Sequence, residues 1–229
     1  TLVKNPATGG IIPGVEDRAS LEGDTFDIGY TLGALYEYSD QTRFGIGYRS
    51  QVKHKLKGDI KFEGLMLPAN QDISARITTP ANLTIGAYHD INDKWSVMAE
   101  FGRTYWSSFD TLDIYGENNG KMSTTEERWK DTTFYAIGAS YQYNDQWKFR
   151  VGFAVDQSAV GQEYRTPRIP DSDRLWYSSG IEYKYNDDWT FNLGYTYIRA
   201  DKGKVKLLGY HDGDNARGSL QADYENDIH

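Results

Sequence analysis

The sequence predicts an all-β protein, an antiparallel transmembrane β-barrel, and three observations carry that expectation. Apolar and polar residues alternate with a period of two along most of the chain after residue 24. Short turns built from Asn, Asp and Ser alternate with long polar connections, the arrangement of an outer-membrane barrel with its periplasmic turns and extracellular loops. Trp95, Trp147 and Trp189 each stand just past one of the short turns, where an aromatic girdle meets the bilayer interface.

Mean hydropathy is −0.69, a value that would suit a water-soluble protein. A barrel that alternates lipid-facing and lumen-facing residues has the same average, so the value does not decide between the two. No run approaches the roughly 18 apolar residues that a membrane helix requires. With 18 Tyr, 6 Trp and 9 Phe in 229 residues, the chain has the aromatic supply that two girdles demand. The absence of cysteine excludes disulfides and thiolate chemistry, and a net charge of −8 argues against nucleic-acid partners. The opening "TLVKNPATGG" has neither the charged nor the apolar region of a signal peptide, which points to a processed chain or to an interior piece of a longer one.

In order along the chain, residues 1–24 read as a long polar extracellular loop with Gly and Pro breaks. Residues 25–229 then read as strands at about 25–39, 42–63, 73–90, 94–116, 128–143, 147–160, 174–186, 189–208 and 219–229. Phe26, Ile28, Tyr30 and Leu32 share one parity in the first; Trp147, Phe149, Val151 and Phe153 share one in the sixth. The turns Ser39-Asp40-Gln41, Asn92-Asp93-Lys94, Asn144-Asp145-Gln146 and Asn186-Asp187-Asp188 suit tight hairpins, because Asn and Asp bond their own backbone. Nine strands is an odd count, whereas single-chain bacterial barrels are even, so further strands are expected outside this chain. A soluble lipocalin-like barrel or sandwich would give similar alternation. Its strands would be shorter, and it would have no reason to place Trp at the hairpin mouths.

Several segments are specific enough to suggest a family. "YEYSDQTRFGIGYRSQVKHKLKGD" (36–59), "RTYWSSFDTL" (103–112), "WKDTTFYAIGASYQYNDQWKFRVGFAVDQSAV" (129–160) and "TPRIPDSDRLWYSSGIEYKYN" (166–186) resemble the FadL family of outer-membrane long-chain fatty acid transporters. The resemblance runs from about Gly23 to the end. It implies the C-terminal portion of a fourteen-stranded barrel in the outer membrane of a Gram-negative bacterium. The hatch and first strands of such a barrel are not found in these residues. It further implies a monomer that passes long-chain fatty acids or related hydrophobic compounds by binding and release, with the bilayer and lipopolysaccharide as its surroundings.

Arg49 is the first site candidate. Its parity places it on the lumen side, opposite to Tyr48, and a guanidinium can pair bidentately with a carboxylate. The resemblance implies that this arginine receives the ligand headgroup; pairing with acidic residues on neighbouring strands is the competing reading. Lys53, Lys55 and Lys57 continue the row toward the long loops, as a funnel for anions, a contact to lipopolysaccharide or a solvated extension. Lys130 and Arg150 are further lumenal candidates, with Glu100 a possible partner for Arg150. Leu35, Met98 and Trp106 have the parity to line an apolar tail. Tyr143 and Tyr185, with the three girdle tryptophans, are expected at the membrane interface. "IPDSDR" (169–174) reads as structural, with Asp171 or Asp173 capping backbone donors and Arg174 tying the loop to the rim.

No enzyme is expected. The four histidines (54, 89, 211 and 229) lack metal-site spacing, and "HDGD" (211–214) has too few oxygen ligands in register for a calcium loop, so neither metal nor cofactor is predicted. His89 beside Asp90 lies at a turn, where an interface position explains it better than catalysis. The competing function from another class is an adhesin, receptor or structural barrel whose long loops bind an external surface.

Overall fold

The computed structural model describes residues 2–4, 11–16, 18–63, 71–116, 120–167, 169–207, 219–225 and 227–228. The strands in chain order are β1 (Leu2–Lys4), β2 (Ile11–Glu16), β3 (Arg18–Asp24), β4 (Thr31–Ser39), β5 (Thr42–Arg49), β6 (Val52–Glu63), β7 (Gln71–Thr79), β8 (Asn82–Asp90) and β9 (Trp95–Thr104). They continue with β10 (Thr111–Tyr115), β11 (Lys121–Glu126), β12 (Thr132–Gln142), β13 (Trp147–Asp156), β14 (Arg174–Lys184), β15 (Thr190–Ala200), β16 (Gly203–Leu207), β17 (Leu220–Tyr224) and β18 (Asp227–Ile228).

Half of these strands form one antiparallel wall in the order β18-β15-β14-β13-β12-β9-β8-β5-β4, with β4 and β18 at its edges. Its wide outer face is apolar and open: Leu193 is 72% exposed, Ile137 64% and Val151 62%. No large side chain among the described residues is fully buried. A water-soluble sheet would hide this parity in a core; here the bilayer is the solvent for it. The opposite parity carries Gly, Ser and charged residues and forms the inner wall.

The short turns share one latch. Asn92 Oδ1 accepts from the backbone N–H groups of Lys94 and Trp95, both at 3.0 Å. Asn144 Oδ1 accepts from Gln146 and Trp147 at 3.0 and 2.9 Å. Asn186 Oδ1 accepts from Asp188 and Trp189 at 3.0 and 2.8 Å. Ser39 Oγ takes the same place, accepting from Gln41 and Thr42 at 3.3 and 3.1 Å. The side chain thus supplies the acceptor that a tight turn lacks, and it sets Trp95 and Trp147 at the first position of their strands and Trp189 just before Thr190.

The long strands expected at 42–63, 73–90, 94–116 and 189–208 are each interrupted, and the one expected at 128–143 begins only at Thr132. Between β5 and β6, Ser50 leaves the ladder to bond Tyr30, its N–H to the Tyr30 carbonyl and its Oγ to the Tyr30 N–H, both at 2.9 Å. Pro80, which has no N–H to give, separates β7 from β8. A single 3-10 turn, Trp106–Ser108, follows β9, and Arg128, with φ 42°, sits in the link between β11 and β12. The breaks lie at one level, because Arg49 pairs with Asn82, Asn82 with Thr104 and Thr104 with Thr132. Above this seam the chain forms a second sheet, β11-β10-β7-β6-β3. The stretch expected as an irregular loop therefore holds β3, which pairs with β6 from Arg18↔Glu63 to Asp24↔Lys57. Residues 25–30, expected within a strand, lie outside one.

Candidate functional site on the inner wall

Inner-wall parity runs through Leu35 on β4, Arg43 and Arg49 on β5, Tyr88 on β8, Met98 and Glu100 on β9, and Arg150 on β13. The register follows from Leu35↔Gly45, Arg43↔Tyr88, Tyr88↔Met98 and Gly86↔Glu100. A cavity of about 420 Å³ opens on this face. Leu35, Tyr88, Met98 and Glu100 line it together with Arg43, and glycines 45, 86 and 138 form part of its floor. Glycine costs a strand backbone entropy, yet a Cβ at Gly45 or Gly86 would meet nothing nearer than 4.0 and 3.9 Å.

The cation of this cavity is held by an aromatic ring. The Arg43 guanidinium lies 4.0 Å from the Tyr88 ring centroid. Tyr88 is fixed in turn: its hydroxyl donates to Asp90 Oδ1 at 2.6 Å and lies 3.0 Å from Ser96 Oγ, which itself donates to Asp90 Oδ1 at 2.6 Å. Among the described residues Arg43 has no carboxylate within ion-pair distance, so its N–H fork is available to an anion. A second cavity of about 390 Å³, lined by Glu37, Asp40 and Gln41, shares Arg43 and Tyr88 and lies toward the short turns.

The structure brings Leu35 and Met98 together as expected from parity, and adds Arg43 and Tyr88, which sequence reasoning passed over. The available signal was that Arg43 shares the parity of Arg49, six residues earlier on the same strand. Arg49 itself stands at the seam, outside the cavity, with no side-chain hydrogen bond or ion pair among the described residues; it pairs across the sheet with Thr31 and Asn82. Lys53 is exposed on β6 of the upper sheet, opposite Thr78 and away from the inner wall. Lys130 is in the link before β12, its N–H bonded to the Ala159 carbonyl at 2.9 Å, and not on a strand. Trp106 begins the 3-10 turn and packs edge-on against Trp129 at 4.8 Å; strand parity ends at Thr104, so it does not share the inner wall. Arg150 pairs with Glu182, and with Asn192 Oδ1 at 3.4 Å, rather than with Glu100. The reason is topological: β12 stands between β13 and β9, whereas Glu182 is on the adjacent β14.

Beside the turns, Trp95 packs on Tyr141 at 4.6 Å, Trp147 on Tyr183 at 4.4 Å, and Trp189 stacks with Phe191 at 6.1 Å. Tyr143 and Tyr185 are exposed next to them. At the other end Asp171 and Asp173 cap Ser158: Asp173 Oδ1 accepts its N–H at 2.7 Å, and Asp171 Oδ2 its hydroxyl at 2.8 Å. Arg174 joins Asp156 and Asp171, at 2.9 and 3.0 Å. Near the seam, Asp131 accepts from the Ser107 N–H at 3.0 Å and pairs with Arg103 at 3.4 Å. Desolvation pushes its carboxyl up, but the Ser107 hydrogen bonds and Arg103 outweigh it and hold the pKa below the ordinary value. His211, Asp212 and Asp214 lie outside the described residues.

Residues 3–229 match the model of the outer membrane protein transport protein family, described as OMPP1/FadL/TodX. The chain belongs to this family. Among its FadL/TodX relatives is a long-chain fatty acid transport protein of Escherichia coli, 32% identical over 73% of this chain and 41% of the relative. Outer membrane protein P1 of Haemophilus influenzae is 28% identical over 70% of this chain and 34% of its own length. Among solved structures, a Pseudomonas aeruginosa FadL homologue superposes with TM-score 0.82 at 26% identity, covering 95% of this chain and 54% of the homologue. The Pseudomonas putida toluene transporter TodX superposes with TM-score 0.56 at 26% identity, covering 77% of this chain and 44% of TodX. The chain spans about two fifths of the curated FadL-type relatives it matches. It is a β-barrel segment of a Gram-negative outer membrane protein, in a family whose named members include transporters.

Proposed function

We propose that this chain forms the C-terminal wall of a passive outer-membrane conduit for long-chain fatty acids, with its lumenal site at the Arg43–Tyr88 cavity. The observation that carries this reading is an arginine that makes no direct ion pair among the described residues, beside apolar Leu35 and Met98 on the inner wall. A carboxylate headgroup and an acyl tail require that combination. Arg49, six residues along β5 and roughly 20 Å away at about 3.3 Å per residue, serves as the cation nearer the extracellular side. Lys53 and Lys130 add positive charge above it, while Arg150, engaged by Glu182, shapes the wall. Transport needs no covalent step: ligand enters at the seam, binds at the cavity and leaves down its gradient. The barrel acts as a monomer, anchored by the Trp95, Trp147, Trp189, Tyr143 and Tyr185 girdle.

The second reading, supported by the likeness to TodX, is a neutral monoaromatic ligand using the same apolar lining. Oleate and toluene uptake by cells carrying the full-length protein separate the two, comparing wild type with Arg43→Ala and Arg49→Ala. Loss of oleate uptake in either variant with toluene unaffected supports the fatty acid. Toluene uptake alone in the wild type supports the aromatic reading. No uptake of either overturns the transport assignment in favour of an adhesin or structural barrel.

A further inference from the structure

The outer face of the wall is not uniformly bulky. Where β8, β9, β12 and β13 run side by side, the outward positions Ala87, Val97, Ala99, Ala139 and Val151 are small, and they are cross-strand neighbours: Ala87↔Ala99, Val97↔Ala139 and Ala139↔Val151. Phe44, Ile137 and Phe153 stand around them, and the depression they enclose has a volume of about 620 Å³. Its lining is almost wholly apolar except at the short-turn end, where Thr42 and His89 close it, Thr42 Oγ1 to His89 Nδ1 at 2.8 Å. Among the described residues nothing bonds the other ring nitrogen of His89.

This groove faces away from the lumen. The ladders β5–β8, β8–β9, β9–β12 and β12–β13 run without a register shift, so the hydrogen-bonded wall separates it from the inner cavity. Only a molecule on the bilayer side reaches it, and it is continuous with the lipid-facing surface above and below. An empty apolar depression in that surface would forfeit dispersion contacts along its whole lining, so a bilayer component fills it. A flexible acyl chain matches an apolar floor, and the single polar end lies at the level of the turn-side interface, where a headgroup sits.

We propose that this groove is a specific binding site for a phospholipid of the periplasmic leaflet, one acyl chain lying over Ala87, Ala99 and Ala139 and the phosphate region facing His89. His89 acts there as a hydrogen-bond donor.

The test uses full-length protein purified in mild detergent and titrated with dioleoylphosphatidylethanolamine, with bound lipid counted by native mass spectrometry. Ala99→Phe with Ala139→Phe fills the groove from a face that already tolerates aromatics, and Leu193→Phe, outward on β15 and apart from the groove, is the control. The proposal expects a retained phospholipid in wild type and control, and retention at least about tenfold weaker in the filled variant. His89→Ala, which leaves the groove open, should weaken retention of the phospholipid but not of its apolar analogue diolein. Equal retention in all proteins overturns the proposal. So does a wild-type dimer lost on filling, which would make a second copy the occupant, or displacement of the phospholipid by oleate at equal concentration.

Discussion

The guanidinium of Arg43 lies over the face of Tyr88, 4.0 Å from the ring centroid, and the hydroxyl of that same ring is bonded to Asp90 at 2.6 Å. The cation is thus oriented by a ring that is itself tied to the wall. Tyr88→Phe keeps the face and removes the tie, whereas Tyr88→Leu removes both. A cation–π contact of this kind contributes about 0.5–1 kcal/mol where it is exposed, so Tyr88→Leu should weaken oleate binding roughly two- to fivefold. Tyr88→Phe should weaken it less. Isothermal titration with oleate orders the variants, and equal affinities would remove Arg43 from the site.

The Asn latches predict a graded stability series. Asn144→Ala leaves the Gln146 and Trp147 N–H groups without their side-chain acceptor, a loss of about 1 kcal/mol per hydrogen bond at most, since water reaches the turn. Asn144→Asp keeps an acceptor oxygen and should stay near wild type. Ser39→Ala should cost less than Asn144→Ala, because its bonds are longer. Urea unfolding in lipid vesicles measures the order.

At the end of the wall opposite the short turns, Arg174 bridges Asp156 and Asp171 while Asp171 and Asp173 cap Ser158. Arg174→Ala should remove about 2 kcal/mol of charge-assisted bonding and loosen residues 157–173. Limited proteolysis should then cut this loop faster, with the girdle end unchanged. Arg174→Lys should restore only part, because an ammonium cannot match the fork.

Asp131 gives a pH prediction with a definite sign. Its folded pKa is depressed, with desolvation overcome by the Ser107 bonds and Arg103, so its stabilising contribution is complete above the ordinary carboxylate pKa. That contribution is lost as pH falls through the lower folded value. Amide exchange at Ser107, corrected for intrinsic rate, should therefore rise on going from about pH 6 to about pH 3. In Asp131→Asn this rise should be absent.

The wall was legible in the sequence because a period of two survives wherever both faces have a solvent, bilayer on one side and lumen on the other. Phe149, Val151 and Phe153 fall on the outer face and Arg150 on the inner, as their alternation requires. The turns were legible because Asn latches are local. Strand interruption was not: Ser50 leaves its ladder for Tyr30, twenty residues away, and no periodicity registers that. Trp106 was misplaced for the same reason, its parity having been carried past the end of β9. Leu35 and Met98 were recoverable from parity alone, but Arg43 needed the pairing with Tyr88, which joins β5 to a strand 45 positions along the chain.

The aligned breaks at Ser50–Gln51, Pro80–Ala81, Tyr105–Asp110 and Glu127–Asp131 have a consequence for how such a protein can diversify. Pairing register below that line is closed by turns and ladders that never consult the sheet above it. Segments above the line can therefore be exchanged as cassettes at these joints, while the wall below keeps its geometry.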